Sequence, residues 1–437
     1  MSDNIIIEED KKDEKNNINT NRINSGNKEN EIDYGKPFFK DEEKTKYKIN
    51  NLTIEEIDIL KTKNYPLPRC YLTAEYSSKN NSIICIGGSD ESCEQNNKIT
   101  EYNIKDNIWK YWNNEEQIEF DLELSGHSSN LVKINEIEKI FVFGGYDNWK
   151  KEFTSQSYFI NLSNKSFEKI NYNVYRDEKI EFPSPRTYHS SNYDEDKQII
   201  YIYGGTDMNI NNSKNNNFQS VWAFNLIKKC WKKIELVNGP PHGAPKGHSS
   251  ILFDNKLYIF GGVILFKKFT NKLYTIDLNT KKIENIDYNG AAPKAITFHS
   301  AILIDKHKFL IHGGLGKNYT PINDCYIFYF NDNKFEKINI PLIPNLFGHK
   351  IVMNNNENKL FIIGGMNSFK YVGDENLIYQ LDEEGEILFK ENQIKFNPML
   401  NILEIILNNK EEKIEEKIKV NEKKELVKKR RWKKAFY

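Results

Sequence analysis

Short apolar runs that each end in a pair of glycines set the pattern of this chain. The runs ICIGG, FVFGG, IYIYGG, LYIFGG, FLIHGG and LFIIGG close on Gly87-Gly88, Gly144-Gly145, Gly204-Gly205, Gly261-Gly262, Gly313-Gly314 and Gly364-Gly365. Their first glycines stand 57, 60, 57, 52 and 51 residues apart. A near-constant interval repeated six times marks a modular architecture. Four to six apolar residues rich in Ile, Val, Phe and Tyr predict a buried strand. A sharp exit from such a strand needs positive φ or a close chain approach, which glycine tolerates most cheaply.

Two further signals keep register with the first. Fourteen to nineteen residues after the doublet comes another strand, with a bulky apolar residue seven positions on. The pairs are Tyr102 with Trp109, Ile160 with Phe167, Phe224 with Trp231, Ile276 with Ile283, and Phe328 with Phe335. The copy after Tyr379 is degenerate. About one hairpin before each doublet stands a histidine: His127, His189, His248, His299 and His349, with Leu72 in the first copy. Each unit thus reads as four short strands with polar turns. A four-stranded sheet cannot bury both faces alone, whereas a ring of such sheets can, leaving only short edges.

The apolar run ending in Gly-Gly, followed by the Tyr102–Trp109 and Phe224–Trp231 spacing, resembles the kelch repeat over about residues 66 to 390. The resemblance implies an all-β, six-bladed propeller with the histidine-bearing strand innermost and the Trp strand outermost. It also implies that the loops after the Gly pairs, and those joining blades, share the face that binds a ligand. The blades read as 66–112, 124–172, 183–236, 244–288, 293–340 and 344–392, within a propeller spanning 41–397. The last could close with Glu386–Asn392 or with Lys46–Asn50 from the other end of the chain; mixing the termini resists fraying and is preferred. Residues 1–40 are polar and aromatic-poor, which predicts disorder. Residues 398–437 read as a charged helical tail, with eight basic residues and Glu425 between Lys423 and Lys434.

Composition narrows the function. The 62 basic and 62 acidic residues cancel, so no global charge points to nucleic acid. Aromatics make up 13% of the chain, consistent with the strand reading. Five scattered cysteines (Cys70, Cys85, Cys93, Cys230, Cys325) lack metal-ligand spacing. The start of the chain has no basic segment leading into an apolar one, and a reducing, cytoplasmic setting is expected. The run Lys428–Lys434 offers a nuclear-import signal, a weak membrane-surface patch or a plain solvated end.

No nucleophile elbow, phosphate-cradling loop or HExxH motif occurs, so neither catalysis nor a cofactor or metal is expected. The alternative is a propeller oxidase or sugar isomerase with an asymmetric channel site. The five repeat histidines read as structural, since equivalent positions meet equivalent neighbours. The post-glycine loops place aromatics beside lysines: Tyr146, Trp149, Lys150 and Lys151 in blade two; Phe266, Lys267 and Lys268 in blade four; Lys317 and Tyr319 in blade five; Phe369, Lys370 and Tyr371 in blade six. Together they suggest an adaptor that binds an acidic or phosphorylated partner segment. A GTPase, actin or a coiled-coil protein are partners of the kind the resemblance implies.

Overall fold

The computed structural model describes residues 47–49, 52–56, 66, 69–89, 99–112, 123–147, 149–172, 181–207, 218–239, 243–264, 268–338, 345–356, 359–366 and 403–407. Nearly all regular structure among them is β-strand. Blade one is built from Thr73–Ser77, Ser82–Ile86, Thr100–Asn103 and Ile108–Tyr111, hydrogen-bonded in that order. Blade three repeats the plan with Ser190–Asp194, Ile199–Tyr203, Val221–Asn225 and Cys230–Ile234. Blades two, four and five follow, with innermost strands Ser128–Ile134, Ser249–Phe253 and Ser300–Asp305. All neighbours within these blades run antiparallel; blade five adds a short parallel edge, Asn289–Gly290.

Blade six draws on both ends of the chain. Its order is Lys350–Asn354, Lys359–Ile363, Leu403–Leu407, Leu52–Glu56 and Tyr47–Ile49. Tyr47–Ile49 therefore lies in this sheet, but one strand further out than the sequence suggested; the fourth place belongs to Leu52–Glu56, in register Leu52 opposite Leu407. The helical reading of the tail is corrected at Leu403–Leu407. The segment LEIIL concentrates β-branched residues, and pairing with Leu52–Glu56 decides its conformation over the helical spacing around it. The remaining tail, residues 1–46 and Glu386–Asn392 lie outside the described residues.

Among the described residues, six apolar clusters fill the junctions between consecutive blades. Val132, Phe141 and Phe159 of blade two meet Ile202, Phe224 and Trp231 of blade three. Leu72, Cys85, Tyr102 and Trp109 of blade one meet Val352, Phe361 and Ile363 of blade six, which completes the circuit. The seven-residue spacing is a cross-strand pair: Tyr102 faces Trp109, Ile160 faces Phe167, Phe224 faces Trp231, Ile276 faces Ile283 and Phe328 faces Phe335. Each pair thereby doubles the apolar surface its sheet presents at one place.

Backbone hydrogen bonds also run from blade to blade around the whole circuit. The second glycine N–H of each pair donates to a carbonyl of the next blade: Gly88 to Leu124, Gly145 to Arg186, Gly205 to Pro245, Gly262 to Ile296, Gly314 to Leu346, and Gly365 to Arg69. All twelve glycines have positive φ, between 58° and 104°. Conformation is only half of their reason. A Cβ on Gly204 would sit 2.6 Å from His248 Cε1 and 2.5 Å from Pro245 O. The first glycine is the space into which the next blade's histidine fits.

Candidate docking face around the propeller axis

The post-glycine loops and the starts of the innermost strands lie on one face. In every blade the residue after the Gly pair bridges to the residue two before the histidine position. These bridges join Ser89 to Cys70, Tyr146 to Ser125, Thr206 to Thr187, Val263 to Lys246, Leu315 to Thr297 and Met366 to Phe347. This side is called the glycine face below.

A second circuit of hydrogen bonds surrounds the axis on this face. The Tyr71 N–H donates to Gly348 O, Gly348 to Phe298, Phe298 to Gly247, Gly247 to Tyr188, Tyr188 to Gly126, and Gly126 back to Tyr71. All six residues adopt left-handed conformation, with φ from 55° to 63°. Glycine and aromatic residues alternate strictly. The three rings close on one another: centroids are 5.2 Å apart for Tyr71–Tyr188, 5.2 Å for Tyr71–Phe298 and 4.9 Å for Tyr188–Phe298. Two of these rings, Tyr71 and Phe298, continue into an apolar cluster with Leu315, Met366, Phe269 and Tyr319, beside the post-glycine loops. The aromatic trio therefore belongs to the glycine face. The sequence announces it as the alternation Tyr, Gly, Tyr, Gly, Phe, Gly one position before the histidine place.

Below this level the inner strands bond laterally. Thr73 Oγ1 lies 2.8 Å from His127 Nε2, and Ser128–His189, Ser190–His248 and Ser249–His299 repeat the contact at 2.8 Å. Blade five departs from the pattern: His312 Nδ1 takes the serine's role, 3.0 Å from His349 Nε2. Burial pushes His127 and His299 down to about 3, and His248 and His312 down to about 4. His189 and His349 fall well below the usual value from burial first and neighbouring cations and histidines second. These rings are neutral packing elements. Glu75 accepts from Ser129 Oγ at 2.6 Å and from Leu131 N at 3.2 Å, so its carboxylate covers the open edge of blade two. Among the described residues, no group of three or more His, Cys, Asp or Glu side chains could hold a metal.

The predicted loop residues distribute as follows. Tyr146 pairs with Phe153 in a hairpin that also bonds to Ser125, their rings 5.0 Å apart. Trp149 sits in the turn of this hairpin and is 78% exposed. Lys150 and Lys151 are both exposed, and Lys150 Nζ lies 3.1 Å from Asp147 Oδ2. Lys268 is exposed in the blade-four hairpin, where Val263 pairs with Phe269. Lys317 is exposed, and the Tyr319 ring packs 5.3 Å from Phe269. Phe266, Lys267, Phe369, Lys370 and Tyr371, and residues 90–98 after the first Gly pair, lie outside the described residues.

The profile of the KLHDC2/KLHL20/DRC7 Kelch-repeats domain matches residues 126–365. The chain belongs to the kelch-repeat family. Kelch domain-containing protein 1 of Mus musculus is 26% identical over 293 residues, covering 62% of this chain and 68% of that protein. Its Homo sapiens counterpart is 26% identical over 292 residues with the same coverage. An F-box/kelch-repeat protein of Arabidopsis thaliana is 26% identical over 229 residues, 48% of this chain and 45% of that protein. The kelch propeller is a protein-interaction module. The histidine, Gly-Gly and Trp signatures are thus the scaffold of a kelch ring.

Proposed function

We propose that this kelch propeller is a non-catalytic adaptor that captures an acidic or phosphorylated segment of a partner protein on its glycine face. The observation that carries the reading is the set of exposed cations Lys151, Lys268 and Lys317 in the post-glycine loops of three different blades, beside the largely exposed Trp149. Exposed lysines steer and select acidic partners, and a solvent-facing indole supplies contact area at low entropic cost. Channel chemistry has less support: His127, His189, His248 and His299 are spent on hydroxyl contacts between blades, and Glu75 on capping a strand edge. A cytoplasmic setting, with nuclear entry through Lys428–Lys434, fits an adaptor of this kind.

The test replaces Lys151, Lys268 and Lys317 together by alanine and compares affinity purifications from the native cell. Partner recovery should fall at least fivefold, with a further fall for Trp149→Ala. Unchanged recovery of the same partners would place capture elsewhere on the propeller.

A further inference from the structure

Three large aromatic side chains occupy backbone positions that disfavour them. Tyr71, Tyr188 and Phe298 each hold φ at 55°, a conformation that penalises a bulky side chain and that glycine adopts freely. The equivalent positions in the other three blades are glycine: Gly126, Gly247 and Gly348. The ring of hydrogen bonds accepts glycine at those positions, so the circuit itself does not require the aromatics. Strained residues that persist where an unstrained choice fits point to a role beyond the local backbone.

Their surroundings define that role. The centroids form a triangle with sides of 5.2, 5.2 and 4.9 Å, too tight to admit a side chain between the rings. The axis is therefore stoppered on the glycine face. The rings are half-buried, and the apolar surface continues outward through Phe269 and Tyr319 to the loops that carry Lys268 and Lys317. Lys151 adds an exposed cation from blade two. The result is a closed aromatic floor with cations around it.

We propose that Tyr71, Tyr188 and Phe298 form the floor of the docking site and determine its specificity. Its occupant is a segment of a partner protein with one large apolar side chain flanked by carboxylates. The apolar side chain rests on the floor, and the carboxylates meet Lys151, Lys268 and Lys317. This rests on the reading that the glycine face is the capture surface, and supplies the apolar half of recognition that lysines alone would lack.

The probe is a displayed library of random dodecapeptides panned against the whole chain. Wild type should enrich peptides with one aromatic or leucine among aspartates and glutamates. Tyr71→Gly, Tyr188→Gly and Phe298→Gly together give every blade the glycine that three already carry. This variant should bind a selected peptide at least tenfold more weakly and, when panned itself, keep the acidic preference but lose the apolar one. The triple lysine-to-alanine variant should lose the acidic preference alone. If the triple glycine variant does not fold, as judged by its thermal transition, Phe298→Gly alone replaces it, with a loss of at least threefold expected. Selected peptides that bind the floor variant as tightly as wild type overturn the floor while leaving the lysine face standing. Peptides indifferent to both variants, or no enrichment by wild type, overturn both.

Discussion

Acid should dismantle this propeller in a pH range where carboxylate pairs still hold, and the buried histidines supply the reason. His127, His189, His248, His299, His312 and His349 are all at most 7% exposed. Each is held neutral in the fold by burial, which pushes His127 and His299 to about 3, His248 and His312 to about 4, and His189 and His349 well below the usual value. Unfolding returns each ring to a value of about 6.5. Between roughly pH 6.5 and pH 4 the unfolded chain therefore binds more protons than the folded one, so stability is complete above that window and is lost as pH falls through it.

At pH 5.5 an unfolded histidine carries about 0.9 proton and a folded one almost none. His127, His248, His299 and His312 together give a slope of about 5 kcal/mol per pH unit there and an integrated loss of about 5 kcal/mol between pH 7.5 and 5.5, with His189 and His349 acting in the same direction. That equals much of a typical domain's whole stability of about 5–15 kcal/mol. Urea unfolding followed by tryptophan fluorescence at both pH values measures the difference directly. His127→Leu supplies the internal control, because Leu72 already fills this place in blade one, its Cδ2 lying 2.2 Å from where a Cβ on Gly364 would be. The variant should lose about 1 kcal/mol at pH 7.5 with its hydrogen bond, yet shed about 1 kcal/mol per pH unit of acid sensitivity near pH 5.5. A urea midpoint unchanged from pH 7.5 to 5.5 would refute the reasoning, since the native rings would then have to be charged already.

Three further outcomes follow from the packing. Gly204→Ala would drive a methyl to 2.5 Å from Pro245 O and 2.6 Å from His248 Cε1 at a φ of 68°, and should cost about 3 kcal/mol or more in denaturant unfolding. Trp231→Ala empties the junction where its ring meets Phe143 at 5.1 Å and Phe224 at 4.9 Å, and should cost about 3–5 kcal/mol by the same measurement. Removing residues 1–56 strips two strands from blade six, exposing the edge of Leu403–Leu407; a lower melting temperature and concentration-dependent aggregation in light scattering are expected.

Much of the scaffold was legible because repetition multiplies a weak local signal. One LYIFGG run could be any buried strand, whereas six in register with the histidine and the seven-residue pair leave little freedom. Leu403–Leu407 was misread because its apolar spacing suits a helix, and only its partner Leu52–Glu56, some 350 residues away, settles the conformation. No local pattern encodes such a pairing. Glycine's second duty was equally invisible: that Gly204 needs no Cβ because His248 approaches from the next blade is a fact of the ring, not of the strand. In the post-glycine loops the sequence paired aromatics with lysines by adjacency. The fold pairs the exposed Lys150 with Asp147 and packs Tyr319 against Phe269, while Trp149, Lys151, Lys268 and Lys317 are exposed as well.

The alternation around the axis has a steric cause that also limits how it could change. A Cβ on Gly126 would lie 2.8 Å from the Tyr188 ring, one on Gly247 would lie 2.9 Å from Phe298, and one on Gly348 would lie 3.0 Å from Tyr71. Each aromatic therefore occupies space that the glycine of the preceding blade vacates. Six aromatics could not fit, and six glycines would leave the mouth open; three of each closes it. A ring with sixfold connectivity thus carries a floor of threefold character. The blades are then equivalent in backbone but alternate in what they turn to the axis: Tyr71, Tyr188 and Phe298 from blades one, three and five, glycine from the others.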